Sequence, residues 1–162
     1  MITALDTNII LDIVVPDTAD VRTSKALLER AGREGALVIC EVVYAEVAAR
    51  FQDGSALDFF MQETRIRLSA STPEALAEAG VAWTKFASNR RRKVQCGSCG
   101  REQDIVCIDC SQTISFRQRV LADFLIGGHA LLQADRLLTR DQRYFRTYFA
   151  TLKLGPELDP SN

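Results

Sequence analysis

Ile2-Thr3-Ala4-Leu5-Asp6-Thr7-Asn8 decides the fold: it is an apolar run just long enough for one short buried strand, closed by a carboxylate. Strands covered on both faces read as unbroken apolar runs rather than as alternating ones. After Asp6 the apolar character resumes at Ile9, Ile10, Leu11, Ile13, Val14 and Val15, until Pro16 stops it. Similar short runs recur at 36–39, 66–69 and 136–139, and a last strand is expected over 151–154. Between them the apolar spacing changes to that of helices, over 18–33, 41–52, 55–64, 73 to about 90, 117–133 and 141–149. Ser71-Thr72-Pro73-Glu74 is a helix start, with a hydroxyl to cap it and proline in the first turn. Short apolar strands alternating with helices predict an α/β domain with a mainly parallel sheet.

The length of 162 residues fits one domain, taken as 1–154 with a loose tail over 155–162. With 47% hydrophobic and 25% charged residues the composition is that of a globular protein. A net charge of −1 excludes attraction of the whole molecule to nucleic acid, so any such contact must come from a local patch. No apolar run approaches the roughly 18 residues of a membrane helix. The N-terminus lacks the basic and apolar regions of a signal peptide. A cytoplasmic location, with no membrane partner, is the resulting expectation.

Four acids stand out by position. Asp6 closes the first strand and Asp141 follows the strand at 136–139. Glu46 and Asp123 each fall inside an apolar helical pattern, where a lone carboxylate is costly unless something compensates. In open parallel sheets ligands bind beyond the carboxyl ends of the strands, which is where Asp6 and Asp141 are expected. Carboxylates gathered there repel one another, and a hard divalent cation such as Mg²⁺ or Mn²⁺ removes the conflict. A metal so held activates water for attack on a phosphodiester. Taken singly, Asp6 also reads as a turn residue and Asp141 as a helix cap. Asp12, Asp17, Glu41 and Asp135 read as caps or solvated positions. His129, on an apolar helix, reads as packed rather than catalytic, and Phe59, Phe60, Trp83 and Phe86 read as core.

The segments Leu5-Asp6-Thr7-Asn8-Ile9-Ile10-Leu11-Asp12, Val43-Tyr44-Ala45-Glu46-Val47, Ala122-Asp123-Phe124-Leu125-Ile126-Gly127-Gly128-His129-Ala130 and Leu138-Thr139-Arg140-Asp141-Gln142-Arg143-Tyr144-Phe145 resemble, in this order, the four motifs of PIN-domain ribonucleases, the VapC-type toxins above all. The resemblance covers the chain except 94–115. It implies a PIN-like three-layer α/β/α domain and a divalent-metal-dependent RNA endonuclease. Asp6, Glu46, Asp123 and Asp141 would be metal ligands or would organise them, with Asp6 and Asp123 holding Mg²⁺ or Mn²⁺. Asn8 and Thr139 match accessory polar positions. It also implies a homodimer and a cognate antitoxin. Two other readings remain: an RNA-processing PIN nuclease without an antitoxin, and a non-catalytic RNA-binding module. A dehalogenase-type phosphatase is disfavoured, since it needs a second aspartate two residues after the first, where this chain has Asn8.

The stretch 94–115 departs from that pattern. Cys96, Cys99, Cys107 and Cys110 form C-x2-C-x7-C-x2-C, a spacing suited to a structural tetrahedral Zn²⁺, with redox dithiols as the alternative. Cys40 stands apart and reads as a buried thiol. The flanks of this insert are basic. Lys85, Arg90, Arg91, Arg92, Lys93, Arg101, Arg117 and Arg119 face only Glu102, Asp104 and Asp109 within 85–119. Such an excess fits a phosphate-contacting arm for RNA, or else a solvated surface. Arg90, Arg91, Arg92, Lys93, Arg117 and Arg119 are the candidate RNA contacts.

Overall fold

Strand β1 (Ile2–Leu5) is an inner strand of the main sheet, paired in parallel with β2 (Ala36–Ile39) on one side and β6 (Arg136–Leu138) on the other. β3 (Ile66–Leu68) extends the sheet beyond β2, giving the order β3-β2-β1-β6. The computed structural model describes residues 1–15, 19–89, 94–95, 98–99, 101–112 and 121–155. Its helices are α1 (Thr7–Val14), α2 (Val21–Glu34), α3 (Glu41–Ala48), α4 (Gly54–Thr64), α5 (Pro73–Asn89), α6 (Ala122–Gln133) and α7 (Gln142–Tyr148). They flank the sheet in a three-layer α/β/α arrangement, as the alternation of strands and helices in the sequence requires.

The core sits where the strands' apolar runs meet the helices. Leu5, Ile9, Ile10, Ile39, Val43, Leu137 and Phe124 are fully buried. Cys40, at the β2–α3 junction, is buried as expected. Register levels the carboxyl ends of the two strands that matter most. Leu5 faces Leu138, and the Asp6 amide donates to the Leu138 carbonyl at 3.0 Å. Asp6 and Thr139 therefore leave the sheet side by side.

Helix α6 is held by two glycines that let its backbone come close to its neighbours. A Cβ on Gly128 would lie 2.4 Å from the Ala75 carbonyl oxygen of α5, and one on Gly127 would lie 2.2 Å from the Phe149 ring. At the other end of this helix pair the rings of Phe86 and Phe124 are 5.5 Å apart. Ala75 near Gly128 and Phe86 near Phe124 define an antiparallel pair. Thr72 caps α5 through Oγ1, which accepts from the Ala75 amide at 3.3 Å. Gln133, the last residue of α6, ties the same corner by accepting from the Thr72 amide and donating to the Ala70 carbonyl.

Several expectations change. The strand expected over 151–154 reduces to one parallel bridge between Leu137 and Leu154. The helix expected over 41–52 ends at Ala48, and the helix expected from 117 is described only from Ala122, because 113–120 lie outside the described residues. Phe59 and Trp83 are not core: they are 66% and 40% exposed. Phe60 and Phe86 do pack against the core. Asp12 is neither a cap nor solvated but buried, while Asp17 is outside the described residues. In the insert, β4 (Val94–Gln95) and β5 (Glu102–Gln103) pair as an antiparallel hairpin. Among the described residues, no helix is long and apolar enough to cross a membrane.

Candidate active site

Asp6 leaves the end of β1 as the residue before α1 and is buried, at 5% exposure. Its Oδ2 accepts from Thr139 Oγ1 at 2.6 Å and from Asn8 Nδ2 at 2.7 Å. Asn8 Nδ2 also reaches Thr139 Oγ1 at 3.3 Å, so the three side chains close a triangle across the β1 and β6 ends. Asp141 follows Thr139 and begins α7: its Oδ1 accepts from the Tyr144 amide at 3.2 Å, and its own amide donates to Thr139 Oγ1 at 3.0 Å. The plain reading of Asp141 as a helix cap and its place in the acidic group thus both hold. One oxygen caps the helix while the residue stays beside Asp123.

Glu46 reaches the site from α3, where Thr7 Oγ1 donates to its Oε2. It is exposed, so the expected burial cost does not apply to it; its orientation comes from α3 and from Thr7. Asp123, half-buried, comes from the first turn of α6. The four carboxylates lie within electrostatic reach of one another. Asp123 and Glu46 both act on Asp6, and Glu46 and Asp141 both act on Asp123. Burial first, and then these neighbouring charges, raise the Asp6 carboxyl to about 6, against the lowering effect of Thr139. Burial, Glu46 and Asp141 likewise push Asp123 up. Among the described residues no cation pairs with any of the four.

Sequence reasoning missed two features. Thr7 appears in the sequence reading only within the first motif, with no role of its own, yet it orients Glu46; its place one residue after Asp6 and at the start of a helix was the available signal. Tyr144 was also missed. Its ring packs against Phe124 at 5.5 Å, and burial, with Asp123 close by, raises its phenol well above the ordinary value. Among the described residues its hydroxyl has no hydrogen-bond partner. His129 is buried as expected, with burial lowering its basicity.

The expected Mg²⁺ or Mn²⁺ ligands and the four-cysteine Zn²⁺ set can be compared only within the described residues, which exclude Cys96. No three His, Cys, Asp or Glu side chains there are grouped to hold an ion. In the insert, Cys99 and Cys110 are exposed and Cys107 half-buried, while Cys96 lies outside the described residues. A tight turn forms after Cys107, whose carbonyl accepts from the Ser111 amide at 2.9 Å. The amides of Cys110 and Asp109, and the Cys110 thiol, lower the pKa of the Cys107 thiol and so favour its thiolate. The candidate RNA contacts Arg90, Arg91, Arg92, Lys93, Arg117 and Arg119 all lie outside the described residues.

Residues 3–150 match the family model of the PIN domain. The chain belongs to the PIN-domain family. Among solved structures, this PIN domain is similar to a chain of the crystal structure of VapBC2 from Rickettsia felis bound to a DNA fragment from their promoter. The TM-score is 0.59 at 18% identity, covering 96% of this chain and 98% of that one. That likeness is one of fold. None of the curated proteins matches the sequence.

Proposed function

We propose that this PIN domain is a divalent-metal-dependent endoribonuclease and the toxin of a toxin–antitoxin pair. The observation that carries the reading is the meeting of Asp6, Glu46, Asp123 and Asp141 beside the carboxyl ends of β1 and β6, without a pairing cation among the described residues. Family membership and the shared fold with VapBC2 support the same reading.

The donor set fits Mg²⁺ or Mn²⁺ by its chemistry. It offers hard carboxylate oxygens, with no histidine or thiolate beside them among the described residues, and an Asp6 carboxyl already burdened by its neighbours' charge. Asp6 and Asp123 would hold the ion, with Glu46 and Asp141 around it. When bound, such an ion supplies an activated water and a counter-charge for the phosphodiester. The chain's own part is to hold the oxygens in place. Thr139 and Asn8 fix Asp6 Oδ2, Thr7 fixes Glu46, and the α7 cap fixes Asp141. Positioning of this kind decides rate, because small displacements of reacting groups are costly.

The basic flanks of the insert would grip RNA phosphates, and its four cysteines would hold a structural Zn²⁺. The β4–β5 hairpin and the amides facing Cys107 favour that arrangement. A cognate antitoxin and a second copy of the chain are the proposed protein partners.

The test is cleavage of single-stranded RNA by the full chain with Mn²⁺, with EDTA, and with Asp6→Asn. Internal cleavage that needs Mn²⁺ and Asp6 is the expected result; cleavage unchanged by EDTA or by Asp6→Asn sinks the reading. Zinc content of the purified chain near one per molecule, lost on Cys107→Ser, is expected for the insert. Growth arrest on expression, relieved by the product of the adjoining reading frame, tests the toxin role.

A further inference from the structure

Arg140 stands between two residues of the acidic site, Thr139 and Asp141, yet its side chain turns toward α1 and α2. Nε donates to Asp12 Oδ2 at 2.8 Å and Nη2 to Asp12 Oδ1 at 2.9 Å, a two-pronged pair. Nη1 pairs with Asp20, the residue that precedes α2. Asp12 is 4% exposed, and the fully buried Ser24 hydroxyl donates to its Oδ2. One guanidinium thus joins α1, the start of α2 and the β6–α7 connection.

The backbone of that connection is tied to the site through side chains. The Arg140 amide donates to Asn8 Oδ1 at 3.3 Å and the Asp141 amide to Thr139 Oγ1 at 3.0 Å; both acceptors are side chains. The same two side chains hold Asp6. Displacing the connection therefore disturbs Asp141, Thr139 and Asp6 together. A forked guanidinium on both oxygens of a buried carboxylate fixes direction as well as distance, which a lysine ammonium does not.

We propose that Arg140 is a positioning residue of the carboxylate site: clamped on Asp12 and Asp20, it sets where Thr139 and Asp141 stand relative to Asp6. The proposal rests on the nuclease reading for its effect on rate, but not for its effect on geometry. Arg140 acts through the connection and touches no reacting atom. Asp12, buried on α1, serves as the anchor.

The test compares Arg140→Lys, Arg140→Gln, Asp12→Asn and the Arg140→Gln/Asp12→Asn double variant, at a temperature where each is folded by circular dichroism. Three readouts are taken: kcat and KM on single-stranded RNA, Mn²⁺ affinity by titration calorimetry, and amide hydrogen exchange at residues 139–141. Arg140→Gln is expected to lower kcat by roughly 10- to 100-fold, with KM for RNA little changed, weaker Mn²⁺ binding and faster exchange at Asp141. Arg140→Lys is expected to fall between it and wild type, and the double variant to be no worse than the worse single one. Unchanged exchange at 139–141 in Arg140→Gln overturns the proposal whether or not the protein cuts RNA. A raised KM at unchanged kcat also overturns it, since that marks an RNA contact. Wild-type protein that neither binds Mn²⁺ nor cuts RNA defeats the nuclease reading instead, and the exchange data still decide the clamp.

Discussion

Thr139 Oγ1 donates to Asp6 Oδ2 at 2.6 Å, across 133 positions of sequence. Both residues are buried, and both sit just past the ends of paired strands. Thr139→Val removes the donor while keeping the shape, leaving a buried carboxylate short of a partner. Loss of about 1–3 kcal/mol of stability is expected, with RNA cleavage reduced at least tenfold. Thr139→Ser, which keeps the hydroxyl, should restore most of both. Urea denaturation and cleavage rates measured on the two variants check this.

The raised Asp6 carboxyl sets a pH dependence with a definite sign. Its ordinary value of 3.8 applies to the unfolded chain and about 6 to the folded one. Between these the folded state holds more protons, so stability falls as pH rises through that window. The loss approaches 3 kcal/mol at most, at about 1.36 kcal/mol per unit. Without divalent ion, the chemical-denaturation midpoint should drop between pH 4 and pH 6.5. Adding Mn²⁺ should recover stability at pH 7.5 and do little at pH 4.5. A midpoint that rises steadily over pH 4 to 6.5 contradicts the assignment.

Asp123→Asn separates function from stability. The carboxylate is pushed up by burial, Glu46 and Asp141, so replacing it with a neutral group relieves repulsion. The metal-free variant should melt at or above the wild-type temperature while losing RNA cleavage and the Mn²⁺-dependent rise in melting temperature. Differential scanning calorimetry with and without Mn²⁺ reads both effects.

Gly128→Ala is expected to destabilise the protein by about 1–3 kcal/mol. The new Cβ would meet the Ala75 carbonyl at 2.4 Å, and backbone cannot swing aside as a flexible side chain does. Gly80→Ala in α5 meets nothing within 4 Å and serves as the control. In a helix interior it should be neutral or stabilising. Melting temperatures of the two variants give the comparison.

Tyr144→Phe deletes a buried hydroxyl that lacks a partner among the described residues. Removing such a group leaves nothing unsatisfied and keeps the ring contacts with Phe124 and Tyr148. Stability should stay within about 0.5 kcal/mol of wild type or rise. A loss above 1 kcal/mol would show that the hydroxyl has a partner in solution.

Much of this arrangement was legible in the order of residues. β1, β2 and β6 appear where apolar runs end in Asp6, Cys40 and Thr139, because strands buried on both faces leave that mark, whereas β3 is an edge strand with Arg67 and Leu68 exposed. Asp6 and Asp141 could be placed together from strand ends at one edge of a parallel sheet, while Glu46 and Asp123 stood out as carboxylates inside apolar helices and by the resemblance to the PIN motifs. What sequence withheld depends on distant partners. Asp12 looked solvated because Arg140 and Ser24, which neutralise and bury it, lie 128 and 12 positions away. Leu152 and Leu154 looked like strand because they are apolar, but only Leu154 bridges to β6. Phe59 and Trp83 looked like core because large rings usually are, and the faces of α4 and α5 that carry them turn outward.

The antiparallel pairing of α5 with α6 has a consequence for how this chain can vary. The end of one helix and the start of the other lie near Phe86 and Phe124, whose rings are 5.5 Å apart. The chain between 90 and 121 is therefore a connection whose two ends are held together by a firm helical hairpin. Doubling such a connection's length costs only about 0.6 kcal/mol, so this is the place where the scaffold tolerates cargo. The cysteine-bearing segment is separable in principle: a short Gly-Ser bridge in its place should leave the sheet and its four acids standing.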